Sequence, residues 1–162
     1  MAARFVKTWR SFRTPACHAD EAHVHEELFS LRWLVGDSVA SVGHDTDSET
    51  WFVRFASGSS VHAPGLWRIL RDETLASTSQ DHGHRFGLPA PFDALAALGQ
   101  LEGKVVRTVA VRKDTGDLRL AFDGPLELEV INTSAGYEGW SAQHPELGSV
   151  FTTGCGELNS MG

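Results

Sequence analysis

Apolar and polar residues alternate along two neighbouring stretches in the second half of the chain. The apolar positions of this alternation are Leu118, Leu120, Phe122, Leu126, Leu128 and Val130. A period of two predicts strands that bury one face and expose the other. Asp123 and Gly124 lie between the two stretches and favour a turn. The pattern therefore predicts an antiparallel hairpin in this half.

Further strands are predicted upstream and near the C-terminal end. Trp51, Val53 and Phe55 alternate within a run of β-branched and aromatic residues, and residues 57–59 form a tight turn signal. The other predicted strands cover residues 39–44, 60–63, 67–70, 74–79, 105–112 and 150–153.

Two helices are predicted, and each precedes a set of strands. Residues 20–34 begin with Asp20, which suits a helix N-cap, and continue with apolar residues at helical spacing. Residues 91–101 begin with a proline and carry a leucine at every third position from 95 onward. Gly36 and Gly103 follow the two segments closely, as helix-ending residues do.

The two halves of the chain share an order of residues at a fixed distance. A spacing of 67 positions relates Leu34, Gly36, Val39, Val42 and Phe55 to Leu101, Gly103, Val106, Val109 and Phe122. A unit with one short helix and three or four strands cannot bury its apolar face alone. We therefore predict an α+β fold, with an internal repeat: two tandem copies of a helix plus a three-to-four-stranded antiparallel sheet, packed as one pseudo-twofold domain. The predicted boundaries are 1–19 for a basic and aromatic N-terminal arm, 20–90 for the first unit and 91–162 for the second.

Composition places the chain among acidic globular proteins. The formal net charge is −7, which disfavours nucleic-acid and membrane-surface partners. No apolar run approaches the length of a membrane span. Cys17 and Cys155 stand alone at opposite ends of the chain, which does not resemble a disulfide framework. We therefore predict a cytoplasmic location, and leave the pairing of the two cysteines open.

Histidines form two clusters that raise the question of catalysis or metal binding. Asp81, His82 and His84 lie in a predicted loop, and His144 lies in another. His18, His23 and His25 lie near the start of the first predicted helix, but the two residues of a His-x-His pair point to different sides of a helix. A plain loop and a solvated acidic helix are the simpler interpretations. No metal or cofactor is predicted, and these residues are weak candidates only.

Aromatic residues mark a second kind of candidate site. Trp67 and Arg68 occupy the place in the first half that Trp140 occupies in the second, and Tyr137 and Glu138 precede Trp140. Tryptophan at such a junction is either part of the core or, when partly exposed, part of a contact surface. These five residues are the predicted protein-contact site.

Four short sequence words give the chain a resemblance to known proteins. They are the residues 67–72 (WRILRD), 86–89 (FGLP), 116–122 (GDLRLAF) and 136–140 (GYEGW). In this order they resemble a family of small uncharacterised bacterial proteins, over roughly residues 31–158. The resemblance implies no established activity and no catalytic residues. Some members resemble immunity proteins or accessory factors. Cys155 departs from the glycine-rich closing segment of that family.

These observations lead to one preferred function and two alternatives. We predict a non-enzymatic module that binds another protein, with an immunity or toxin-neutralising role as one form, because an acidic surface complements a basic partner. One alternative is a small metal- or His-dependent enzyme that uses the loop from Asp81 to His84. The other is a subunit that forms a homodimer through an exposed strand edge.

Overall fold

The computed structural model describes residues 26–161, and eleven strands lie within them. In chain order the first six are β1 (Val39–Asp45), β2 (Thr50–Phe55), β3 (Ser60–Ala63), β4 (Trp67–Arg71), β5 (Thr74–Thr78) and β6 (Val106–Val111). The remaining five are β7 (Leu118–Phe122), β8 (Leu126–Val130), β9 (Ser141–His144), β10 (Gly148–Thr152) and β11 (Leu158–Met161). The predicted strands around Trp51, Leu120 and Leu128 are confirmed, whereas β9 and β11 were not predicted.

Helical structure is short throughout the described residues. Residues 26–30 are helical, and one further α-helix, α1, covers Ala94–Leu98. Its N-terminus is capped by Asp93, whose Oδ1 accepts hydrogen bonds from the amides of Leu95 and Ala96 at 2.9 and 3.2 Å. Four 3-10 turns cover Arg32–Leu34, Ser79–Asp81, Gly99–Leu101 and Gly154–Gly156. None of the helices in the described part is long and apolar enough to cross a membrane.

The strands form two antiparallel sheets, and each sheet contains strands from both halves of the chain. The six-stranded sheet has the order β1-β2-β3-β9-β10-β11, and the five-stranded sheet has the order β5-β4-β8-β7-β6. The connections between the halves are the pairing of β3 with β9 and of β4 with β8. Strands β4 and β5 therefore extend the sheet of the second half, and β9 to β11 extend that of the first.

The predicted α+β fold with an internal repeat of tandem helix-plus-sheet units is wrong. The structure is mostly β, and neither 20–90 nor 91–162 forms its own sheet. The helical spacing in residues 91–101 produces only α1 and the 3-10 turn Gly99–Leu101, because leucines at every third position also suit a 3-10 turn. The apolar faces of the two sheets meet in one core, to which the short helix α1 adds only Ala94 and Leu98.

One core lies between the two sheets. The six-stranded sheet contributes a row of inward-facing residues that includes Val53, Val61 and Val150, and the five-stranded sheet contributes residues such as Leu120 and Leu128. All of these side chains are at most 3% exposed. Burial of apolar side chains on facing sheets is the main source of stability in such an architecture.

Charged residues of the five-stranded sheet lie on its outer face. Arg68 of β4 pairs with Glu129 of β8, and Arg119 of β7 pairs with Glu127 of β8. These side chains are on neighbouring strands and alternate with the buried leucines. The alternation therefore produces a solvated face held by cross-strand ion pairs.

Two buried tryptophans differ in their polar contacts. Trp67 and Trp140 are each 1% exposed. The indole Nε1 of Trp140 donates a hydrogen bond to the carbonyl oxygen of Gly116 at 2.6 Å. The Nε1 of Trp67 has no hydrogen-bond acceptor among the described residues, and its ring meets the ring of Trp51 edge-on, with centroids 5.4 Å apart.

This difference predicts unequal costs for the same substitution at the two sites. We expect Trp140→Phe to lower the free energy of unfolding by about 1–3 kcal/mol more than Trp67→Phe, because it leaves the Gly116 carbonyl buried without its donor. Urea denaturation of the two variants measures the difference. Equal losses of unfolding free energy in the two variants would show that the Trp140 hydrogen bond does not contribute to stability.

Candidate functional site

An open cleft of about 690 Å³ lies at one end of the two sheets. Side chains of β1 and β2, the segment before β4 and the turn after β5 all line it. The residues of this main cleft are His44, Glu49, Trp51, Pro64, Gly65, Leu66, Ser79, Gln80, His82 and Thr133. The site is therefore assembled from segments that are distant in sequence.

The β1–β2 hairpin supplies the aromatic wall of the main cleft. His44 and Trp51 are cross-strand partners, and their rings stack with centroids 3.9 Å apart and an interplanar angle of 15°. Because Ala63 is the next partner of Trp51 across β3, both rings lie on the core side of the sheet. Trp51 is 6% exposed, so its ring forms the floor of the cleft and is not an exposed face.

The turn between β1 and β2 holds Glu49 at the rim. Asp45 closes this turn by accepting hydrogen bonds from the Ser48 hydroxyl at 2.9 Å and the Asp47 amide at 3.0 Å. The bond from the Ser48 hydroxyl, and then that from the Asp47 amide, hold the pKa of Asp45 below its usual value. Glu49 follows with a left-handed backbone, and its side chain is 81% exposed. Its Oε2 lies 3.9 Å from Nε2 of His44.

The turn after β5 supplies His82. Its ring centroid lies 5.4 Å from that of Trp51 and 5.9 Å from that of His44, edge-on in both contacts. Nδ1 of His82 accepts a hydrogen bond from the amide of Ala94 at 3.2 Å. Because Nδ1 acts as the acceptor, the neutral ring carries its proton on Nε2. The start of α1 therefore fixes the tautomer of this histidine.

A smaller cleft of about 150 Å³ continues from the main cleft. The two share Pro64, Gly65 and Thr133, and the smaller one is also lined by Glu138 and by the buried Trp140. Among the described residues that line either cleft, Glu49 and Glu138 are the only ones with a formal charge at neutral pH. The continuous surface is therefore negative.

The loop before β9 ends beside this smaller cleft. The Ser134 hydroxyl accepts hydrogen bonds from the amides of Gly136 and Tyr137 at 3.2 and 2.8 Å. Gly154 permits the close approach of this loop, since a Cβ there would lie 2.0 Å from the carbonyl oxygen of Ala135. Tyr137 itself is 82% exposed. A shaped loop thus presents an exposed aromatic ring next to Glu138.

The structure brings only some of the predicted contact residues together. Tyr137 and Glu138 are exposed neighbours, whereas Trp67 and Trp140 are buried and offer no surface to a partner. Arg68 lies on the outer face of the five-stranded sheet, where it pairs with Glu129.

The predicted catalytic residues do not converge. His82 points into the main cleft, but Nδ1 of His84 lies 3.0 Å from the carbonyl oxygen of Gln80 and its ring packs near Phe86. His144 lies at the other end of the six-stranded sheet, with its ring 5.2 Å from that of Trp33. Asp81 is half-buried in the 3-10 turn, where its carbonyl accepts from the His84 amide.

The candidate metal ligands His18, His23 and His25 lie outside the described residues. Within the described part of the chain, no three His, Cys, Asp or Glu side chains form a group that could hold a metal ion.

The sequence patterns did not predict a site at His44, Glu49 and Trp51. A signal for two of them was present: a hairpin whose turn spans residues 46–49 makes positions 44 and 51 direct partners on one face. No such pattern indicates that His82 lies beside this pair, because the position of His82 depends on the path of the chain from β5 to α1.

Comparisons with protein-family models, with curated proteins and with solved structures found no match to this chain. The resemblance to small bacterial proteins therefore stays a prediction, and the function must be argued from the clefts themselves.

The contact between His82 and α1 leads to a prediction. We expect His82→Phe to speed hydrogen exchange of the Ala94 amide and to cost about 1 kcal/mol of stability, because the buried amide loses its acceptor. His82→Asn should keep the exchange rate of the Ala94 amide and the stability near the original values, since the side-chain oxygen of Asn can replace Nδ1 as the acceptor. Exchange measured by NMR tests this, and identical rates in the two variants would contradict the assigned hydrogen bond.

Proposed function

We propose that the protein binds a basic segment of another protein along the two connected clefts. The observation that carries this proposal is the charge of the lining: carboxylates at Glu49 and Glu138, and neither lysine nor arginine among the described lining residues. A Lys or Arg side chain that enters either cleft meets one carboxylate, Glu49 in the main cleft or Glu138 in the smaller one.

The shape of the site supports a protein segment over a small molecule. Small-molecule sites enclose most of their ligand. Here the main cleft is open and continues past Gly65 and Thr133 into the smaller cleft. An extended path of this kind suits a chain with several side chains in contact.

The groups along the path suit peptide recognition. Gln80, Ser79 and Thr133 provide polar atoms that can bond to a peptide backbone, and Tyr137 provides an exposed ring of the type enriched in protein interfaces. His44 and Trp51 hold the floor of the cleft in place through their stacked rings. Separate groups of the clefts therefore suit the charges, the backbone and the other side chains of a bound peptide.

The overall charge supports the same class of partner. A net charge of −7 attracts a basic protein over a distance of about one Debye length, roughly 8 Å at physiological salt. Neutralisation of a basic toxin is one role that such a surface would serve, and we include it in the proposal. The association rate should then fall as salt is added.

A peptide library tests the proposal with a defined probe. We expect the full chain to enrich Lys- and Arg-containing peptides from a positional-scanning library. The double variant Glu49→Gln with Glu138→Gln should weaken the best peptide about tenfold, because two ion pairs are lost. Isothermal titration calorimetry measures the change.

The matched control carries the same change in net charge at a distance from the clefts. Glu146→Gln with Glu157→Gln replaces two other exposed carboxylates that do not line either cleft. This variant should retain the affinity within about twofold. Enrichment of acidic peptides, or equal weakening by both double variants, would contradict the proposed site.

A further inference from the structure

The outer face of the six-stranded sheet differs in chemistry from that of the five-stranded sheet. One row of cross-strand partners runs over all six strands: Gly43, Phe52, His62, Ser141, Phe151 and Asn159. Strands lie about 4.8 Å apart, so the row is about 24 Å long. The neighbouring row contains Arg54, Ser60 and Gln143.

Charge is almost absent from these two rows of described residues. They contain no Asp, Glu or Lys, and Arg54 is their only formally charged residue. The outer face of the five-stranded sheet, by contrast, carries the pairs Arg68–Glu129 and Arg119–Glu127. The whole chain has a net charge of −7, yet these two rows contain no acidic residue.

The ring of Phe52 is held flat on this face by a glycine. A Cβ at Gly43 would lie 2.1 Å from Cζ of Phe52, and the φ angle of Gly43 is not in the left-handed region. Glycine is therefore needed at this position for the ring above it, and not for the backbone. The guanidinium carbon of Arg54 lies 4.4 Å from the centroid of the same ring. The result is an ordered layer of flat groups.

Uncharged hydrogen-bonding groups flank the flat groups. Nε2 of His62 lies 3.0 Å from the hydroxyl of Ser60, and Gln143 is the cross-strand partner of Ser60 on the other side. Burial lowers the pKa of His62, and the nearby Arg54 lowers it further, so the imidazole is neutral at neutral pH. The neutral imidazole of His62 and the amide of Gln143 each donate and accept hydrogen bonds, whereas the Ser60 hydroxyl is buried beneath His62.

We propose that this face binds an uncharged oligosaccharide. A sugar chain carries apolar faces that can pack on flat groups such as the Phe151 ring and the Arg54 guanidinium that lies over Phe52, and hydroxyls that both donate and accept. Arg54 and Gln143 are exposed, and Phe52, His62 and Phe151 are half-exposed, so the groups are accessible. Single-stranded nucleic acid is disfavoured, because its binding surfaces follow the backbone with many basic residues.

Calorimetry with defined sugars tests this second site on the full chain. The probes are cello-, xylo-, N-acetylchito-, malto- and mannohexaose at millimolar concentration, with oligothymidylate as the nucleic-acid probe. We expect at least one neutral hexaose to bind. Its addition should shift the NMR amide signals of β2, β3 and β9 on this face, and leave those of Glu49 and Gln80 in the main cleft unchanged.

A matched pair of variants separates this face from the rest of the surface. Arg54→Gln should weaken the sugar about tenfold, because one charged donor is lost. Arg119→Gln makes the same change on the outer face of the five-stranded sheet and should leave the affinity unaltered. The proposal is overturned if no hexaose binds, if only oligothymidylate binds, if both variants weaken binding equally, or if the shifts lie in the main cleft.

Discussion

The pairing of β3 with β9 and of β4 with β8 is the constraint on which the rest of the structure depends. Each pairing joins the two halves of the chain in one sheet, so neither half can complete its sheet alone. The pairing of β4 with β8 places β4 and β5 in the five-stranded sheet, so the turn after β5 faces the β1–β2 hairpin across the main cleft. Both the single core and the main cleft follow from this exchange of strands.

The alternation of residues within these strands determines on which face of each sheet the apolar and polar side chains lie. Inward positions form the apolar core, while the outward positions of the two sheets differ: ion pairs on the five-stranded sheet, and flat rings with neutral polar groups on the six-stranded sheet. The carboxylates of the clefts lie on turns and loops at the ends of strands. Glu49 depends on the turn closed by Asp45, and Glu138 depends on the loop held by Ser134. Positioning by loops on a rigid sheet scaffold is common for binding sites.

Part of this arrangement could be predicted from sequence. Strands β2, β7 and β8 have alternating burial, and alternation is a local property. The strand β9 has only Ala142 buried among Ser141, Gln143 and His144, so it lacks that signal. Helix lengths were overestimated because leucines at every third position in residues 91–101 also suit a 3-10 turn. No local sequence pattern indicates the exchange of strands between the two halves. Because the contact of His82 with Trp51 depends on this exchange, it was not predictable either.

We propose that the two connected clefts recognise a basic segment. NMR titration of the isotopically labelled full chain with an arginine-rich peptide tests it most directly. We expect the amides of Glu49, Gln80, Thr133 and Glu138 to shift together and to saturate at one peptide concentration, while the amide of Arg119 on the outer face of the five-stranded sheet stays in place. Shifts spread over both sheets without saturation, or shifts confined to residues outside the clefts, would contradict it.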